Sequence, residues 1–200
     1  MSKPALALLQ KIQATTSQNA APLPSKEDAE PAWQGIGFQL GGVRLVSPMG
    51  EVNELLQPPR IAALPGVKRW VCGVSNIRGQ LVPIIDLHAF LGLESTVASS
   101  HSRVLVVKQD DVTAGFLVEQ SLGIQHFVMS SFEPPGSDVP QVLAPYVKGV
   151  YRHGGRVFYE MRLRAILQDP SFFEVAESRP QNPNVEQDEP LQQDFQEVES

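Results

Sequence analysis

The chain has one cysteine, Cys72, in 200 residues. A lone cysteine forms no internal disulfide, which excludes a disulfide-stapled secreted scaffold and any multi-cysteine zinc site. No run approaches the roughly 18 apolar residues of a membrane helix. The apolar run at 5–9 is too short for a signal-peptide core, with only Lys3 before it. A reducing cytoplasm therefore fits best. There is no excess of base either. From 177 to 200 seven acids face the single base Arg179, which accounts for the whole net charge of −6. Residues 1–176 are balanced, so the body gives no electrostatic reason to bind nucleic acid or an anionic membrane.

An apolar fraction of 42 % and a charged fraction of 19 % describe a globular chain with room to bury a core. The ends differ from the middle. Ala5, Leu8, Leu9 and Ile12 share one face of a short helix after Pro4. Residues 15–31, with Pro22, Pro24, Pro31 and mixed charge from Lys26 to Glu30, read as a linker. The segment 174–200 is polar and acidic and reads as a disordered tail. The expected organisation is an N-terminal segment 1–32, one domain 33–173 with a subdivision near 100, and the tail.

Within the body the signals are those of strands. Residues 38–46 give two short β runs about Gly41-Gly42, which tolerates the positive φ of a tight hairpin. A second hairpin is expected about Asp110-Asp111 and a third about Gly154-Gly155. Pro83 cannot donate to a ladder, so its strand is expected to be an edge or to carry a bulge. Helical spacing appears only at 49–56 and 87–91. Many short strands with glycine turns predict an all-β architecture of barrels or a sandwich.

The chain also repeats. Residues 70–91 lie on 146–167 without a gap, with Val71/Val147, Gly73/Gly149, Val74/Val150, Gly79/Gly155, Leu87/Leu163, Ala89/Ala165 and Leu91/Leu167 identical. A looser match sets 43–55 beside 113–125. Two copies are too few for a solenoid and imply a duplicated β unit, hence two similar barrels side by side. Residues that fold the unit should recur, and residues that differ are freer to carry function. The first copy has Asn76-Ile77-Arg78-Gly79 where the second has Arg152-His153-Gly154-Gly155, and Asp86 stands opposite Arg162.

No catalytic constellation emerges. Ser75 begins like a nucleophile elbow but lacks the second glycine and the strand–turn–helix context. His88, His101, His126 and His153 are scattered, without a metal-binding pair. Cys72 lies in an apolar run and reads as a small buried hydrophobe. Asp86, where a strand ends, is expected to cap the helix at 87–91. Glu51 and Glu54 read as one turn apart on the short amphipathic segment, a pair of solvated carboxylates.

At 70–87 the sequence WVCGVSNIRGQLVPIIDL resembles the CheW family of bacterial chemotaxis adaptors, matching every fixed position of G-V-x-N-x-R-G-x-x-x-P-x-x-D-L. The likeness runs from about Phe38 to Leu167 and includes the I-x-x-L-P-G approach at 61–66. Residues 47–52, Pro59-Arg60, 64–68 and 125–127 look most like the PilI type, the adaptors of the chemosensory system behind type IV pilus twitching motility. The alternative is a flagellar chemotaxis adaptor.

The resemblance implies two five-stranded barrels of SH3-like kind with short helices, and no catalysis, metal or cofactor. It implies a cytoplasmic adaptor recruited to membrane-associated receptor arrays without inserting into the membrane. Its partners would be the cytoplasmic tip of a chemoreceptor and the regulatory domain of a CheA-type histidine kinase. Receptor binding would fall to Arg78, Asn76, Val52, Glu54 and Ile124, and kinase contact to Gly73 and Gly79. The structural alternatives are a salt bridge or carbonyl clamp for Arg78 and core positions for Val52 and Ile124. Arg162 departs from the family, many of whose members carry Asp there.

Overall fold

A computed structural model describes residues 32–95 and 98–176. The expected N-terminal helix, the linker and the acidic stretch from 177 onward fall outside these residues. Among the described residues eleven strands form two sheets. β1 (Ala32–Leu40), β2 (Val43–Pro48), β8 (Gln120–Val128), β9 (Phe132–Glu133), β10 (Val147–His153) and β11 (Arg156–Met161) make one, in the order β8-β1-β2-β11-β10-β9. β3 (Val52–Leu56), β4 (Val71–Ile77), β5 (Gln80–Asp86), β6 (Arg103–Gln109) and β7 (Val112–Val118) make the other, in the order β3-β6-β7-β5-β4. Each sheet closes in the same way. The chain leaving β3 bridges β4 through Ala62 and Val74, and the chain leaving β8 pairs with β10 through β9.

The two sheets exchange their first hairpins. β1–β2 belongs to the first repeat but pairs with β8 and β11 of the second, and β6–β7 belongs to the second but pairs with β3 and β5 of the first. The joins β2–β11 and β5–β7 are parallel and all other pairings antiparallel. Neither sheet lies wholly on one side of residue 100, since each draws strands from both.

This exchange explains the continuous apolar runs. Val104 and Val106 of β6 face the interior of their own barrel with Val82, Ile84 and Leu117. Leu105 and Val107 face the other way, into a larger core with Phe38, Leu45, Ile85, Phe116 and Leu163 that lies between the sheets. Strands buried on both faces lose the apolar–polar alternation. The second barrel has its own aromatic filling, in which Phe127 and Trp33 stack on Tyr151 at ring separations of 4.6 and 4.8 Å.

Three expectations change. The looser repeat is out by one residue. The turns Gly41-Gly42 and Asp110-Asp111 make Val43 equivalent to Val112 rather than to Thr113. Such a slip exchanges the two faces of a strand, so the turn fixes the equivalence more firmly than side-chain similarity does. The segment at 49–56 is not a helix: a turn in which the Glu51 N–H donates to the Pro48 carbonyl at 2.9 Å leads into β3. The spacing of Met49, Val52 and Leu56 suits a helix, but ladder pairing with β6 decides. β5 is not an edge, since it lies between β7 and β4, and the bulge in its pairing with β4 falls on β4 at Cys72. Pro83 is accommodated because β7 pairs only with Ile84, Ile85 and Asp86.

Short helices α1 (Leu87–Phe90), α2 (Leu163–Ile166) and α3 (Pro170–Phe173) close the structure. α3 inserts Phe172 against Trp70 and Phe90, both at ring separations near 6.1 Å. Pairing continues past the expected boundary at Phe173. The Lys68 N–H donates to the Val175 carbonyl, and Val67 bridges Ala176.

Candidate functional interface

The repeated motif places its two glycines for steric reasons. In both copies one extra residue, Cys72 or Lys148, makes a bulge against the following strand. Gly73 adopts φ 138°, and a Cβ there would lie 2.2 Å from the Ala62 carbonyl oxygen. A Cβ on Gly149 would lie 2.2 Å from the Phe132 ring and 2.7 Å from the Glu133 carbonyl oxygen. Both glycines sit where another segment crosses the bulge to close the barrel, so this pair recurs because the unit needs it to fold.

The hairpin tips differ. In the second copy Gly154 and Gly155 occupy the two positive-φ positions, at 56° and 72°. In the first copy Gly79 takes the second, at 84°, but the first is held by Arg78 at 50°. Left-handed backbone costs a non-glycine residue about 1 kcal/mol. Asn76 offsets part of this, because its Oδ1 accepts the Gly79 N–H at 2.8 Å and fixes the turn. The Arg78 side chain is 79 % exposed, and its Nε lies 3.1 Å from Oε2 of Glu54, a side chain only 21 % exposed. The pair is one of proximity rather than alignment, since that buried oxygen finds no aligned donor. Asn53, Glu54, Ile77, Arg78, Lys108 and Thr113 line a groove of about 240 Å³. At the corresponding tip of the other barrel Gln125, His153, Gly154, Arg156 and Phe158 line one of about 260 Å³, without a paired carboxylate.

Val52 and Ile124 lie in different sheets, on β3 and β8. Val52 is half-buried against the core between the sheets. Ile124 is 52 % exposed and sits directly opposite Ile36 of β1, which is itself half-buried against that same core. Ile36 does not stand out in the sequence, where it is one apolar residue among several in a strand. Register with Ile124 and contact with the inter-sheet core together mark it. The other residue that sequence reasoning misses is Lys108, an exposed cation on the Arg78 groove whose backbone N–H donates to Asn53 Oδ1 at 2.9 Å.

The remaining candidates take structural parts. Oδ1 of Asp86 accepts the N–H groups of His88 and Ala89 at 3.1 and 3.3 Å, capping α1 as expected. The Ser75 hydroxyl donates to the Arg60 carbonyl at 2.8 Å. Burial, followed by the nearby Asp86 charge, pushes the Cys72 thiol up to about 11, so it holds its proton at neutral pH. Among the described residues no three His, Cys, Asp or Glu side chains gather as metal ligands, and no helix is long and apolar enough to cross a membrane.

Arg162 cannot cap α2 as Asp86 caps α1. Glu51 does so from across the molecule: its Oε2 accepts the Arg164 N–H at 3.2 Å while its Oε1 takes the Arg162 Nε–H. The family departure at Arg162 is thus matched by a second carboxylate.

Residues 34–171 match the family model described as CheW-like domain. The chain is 42 % identical to Protein PilI of Pseudomonas aeruginosa, over 84 % of this chain and 94 % of that protein. It is 28 % identical to Chemotaxis protein CheW of Helicobacter pylori, over 72 % of this chain and 86 % of that protein. Among solved structures, scaffolding protein TtCheW of Thermoanaerobacter tengcongensis has the same fold, with a TM-score of 0.60 and 22 % identity over 66 % of this chain and 90 % of that one.

Proposed function

We propose that this chain, which belongs to the CheW-like domain family, is a non-enzymatic adaptor that couples a chemoreceptor tip to the regulatory domain of a CheA-type histidine kinase. The likeness to PilI favours the pilus-linked chemosensory system over the flagellar one. Its place is the cytoplasm, at receptor arrays. The observation that carries the reading is Arg78. An arginine occupies a left-handed position that the second repeat fills with glycine, and the guanidinium it presents is mostly exposed beside Glu54. A bulky arginine in left-handed backbone at an exposed tip motivates a functional reading more than Asp110 does at φ 53°, since aspartate tolerates that region, and a planar multidentate donor suits carbonyl or carboxylate acceptors on a partner. Ile36, Val52 and Ile124 supply apolar surface of the kind that accepts one face of a helix. Receptor contact is therefore assigned to Arg78, Glu54, Val52, Ile36 and Ile124. Asn76 serves by holding the turn. Kinase contact at the barrel ends near Gly73 and Gly79 is part of the same proposal.

Co-sedimentation tests it. Vesicles carrying the receptor signalling domain should pellet the kinase regulatory domain only when this chain is added. Pelleting of the kinase without the chain, or failure of the chain to pellet with the vesicles, would refute the adaptor role.

A further inference from the structure

Glu51 is 3 % exposed, yet it lies in a turn and belongs to neither barrel interior. Both of its oxygens are engaged by one short stretch of the second repeat, the Arg162 side chain and the Arg164 backbone N–H. The Arg164 guanidinium returns to the same turn and donates to the Gly50 carbonyl at 2.6 Å. Arg162 also approaches the buried Glu160 at 3.9 Å, so it stands between two carboxylates. The turn at 49–51 is where the chain leaves β2 in one sheet and enters β3 in the other. The residue after Glu51 is Val52, and two further on is Glu54, the partner of Arg78.

We infer that Glu51, clamped by Arg162 and Arg164, is a positioning residue for the receptor interface: it fixes where β3 presents Val52 and Glu54 relative to the sheet that carries Ile36 and Ile124. Three contacts converge on a turn of three residues, and all come from the chain just after β11, a strand of the sheet that β3 itself does not join. β3 pairs with a single neighbour, β6, and its register slips between Val52 and Glu54. Its first residues thus have little ladder support, and the clamp supplies the constraint from the other side. In the first repeat the equivalent helix is capped locally, by Asp86 Oδ1. With Arg162 in place of that cap, a local feature becomes a link between the sheets.

This inference rests on the adaptor reading, so its test has an arm that does not. Glu51→Gln keeps the size of the side chain and one acceptor but removes the charge that holds Arg162. Arg164→Met removes only the contact to Gly50. Amide hydrogen exchange of the full chain should speed up over 49–56 in both variants while β6 and β7 stay as protected as before. Affinity for the receptor tip should fall about tenfold in Glu51→Gln, the size expected for losing one charged hydrogen bond. Affinity for the kinase regulatory domain should be unchanged. Unchanged exchange over 49–56 would overturn the clamp, and a uniform rise in every strand would reduce it to ordinary stability. Faster exchange with undiminished receptor affinity would overturn the positioning role. If the unmodified chain itself fails to bind receptor tip, the adaptor reading fails, and the exchange pattern still decides the clamp.

Discussion

The two repeats share a hairpin, a bulge and a short helix, and they differ at the tip of the hairpin and at the cap of the helix. At the tip the second repeat uses Gly154 where the first uses Arg78, both with left-handed backbone. At the cap the first repeat uses its own Asp86, and the second borrows Glu51 from more than a hundred residues away. The shared positions are therefore requirements of the barrel. The differing ones divide into a strained exposed cation, for which we propose a partner contact, and a substituted cap, whose acceptor comes from elsewhere in the chain. A difference between repeats is thus not in itself a sign of function. What distinguishes Arg78 from Arg162 is its left-handed backbone, whose strain Asn76 offsets only in part.

The strongest challenge to this comparison is to damage what the repeats share. Gly73→Ala should destabilise by about 3 kcal/mol or more, because a Cβ must displace a backbone carbonyl from a position with φ 138°. Gly149→Ala should cost somewhat less, about 2 kcal/mol, since the Phe132 ring can yield part of the space. Urea melts of both variants check this. If either melted like the unmodified chain, the bulge would not be a shared requirement of the two barrels.

A second pair separates the two sides of the proposed apolar surface. Val52→Asp puts a carboxylate against the inter-sheet core and should lose about 2 kcal/mol of stability as well as receptor binding. Ile124→Asp, at an exposed position, should stay within roughly 0.5 kcal/mol of the parent while binding receptor tip at least about tenfold more weakly. Equal melting with unequal receptor titrations for Ile124→Asp is the informative result. Loss of kinase binding with retained receptor binding would hand this surface to the kinase.

The smallest expected effect lies in the cap of α3. Hydrogen bonds from the Ser171 side chain and the Tyr146 hydroxyl hold the Asp169 carboxyl below its ordinary 3.8. A carboxyl with a lowered folded value binds fewer protons folded than unfolded, so its stabilisation is complete above that range and fades as the pH falls through it. Asp169→Asn should melt slightly lower at neutral pH, and the gap should close on acidification below 3.8. A gap constant with pH would assign the effect to packing of Phe172 instead.

Much of the architecture is legible in the sequence because it rests on local rules. Glycine pairs at 41–42 and 154–155 mark tight turns, Asp86 before an apolar helical stretch marks a cap, and the ungapped repeat of 70–91 announces a duplicated unit. What stays hidden depends on pairing between distant strands. Helical spacing at 49–56 cannot reveal that β6 recruits β3, and no local signal shows the exchange of first hairpins. For the same reason Glu51 reads as a solvated carboxylate and Ile36 as an ordinary strand residue. Arg78 is visible through the motif it shares with the CheW family, but its left-handed backbone, the physical reason to separate it from Arg162, appears only in the structure.

The most direct measurement of the central claim is Arg78→Gly, which gives the first repeat the tip of the second. Relief of the left-handed backbone should raise the melting temperature by roughly 2–4 °C, the shift for about 1 kcal/mol in a domain of this size, since the exposed pair with Glu54 contributes little. Titration with receptor tip should show affinity at least about tenfold weaker. A protein that melts lower than the parent and binds receptor tip as well as before would show that Arg78 serves the fold, and its strain would then be no mark of a partner site.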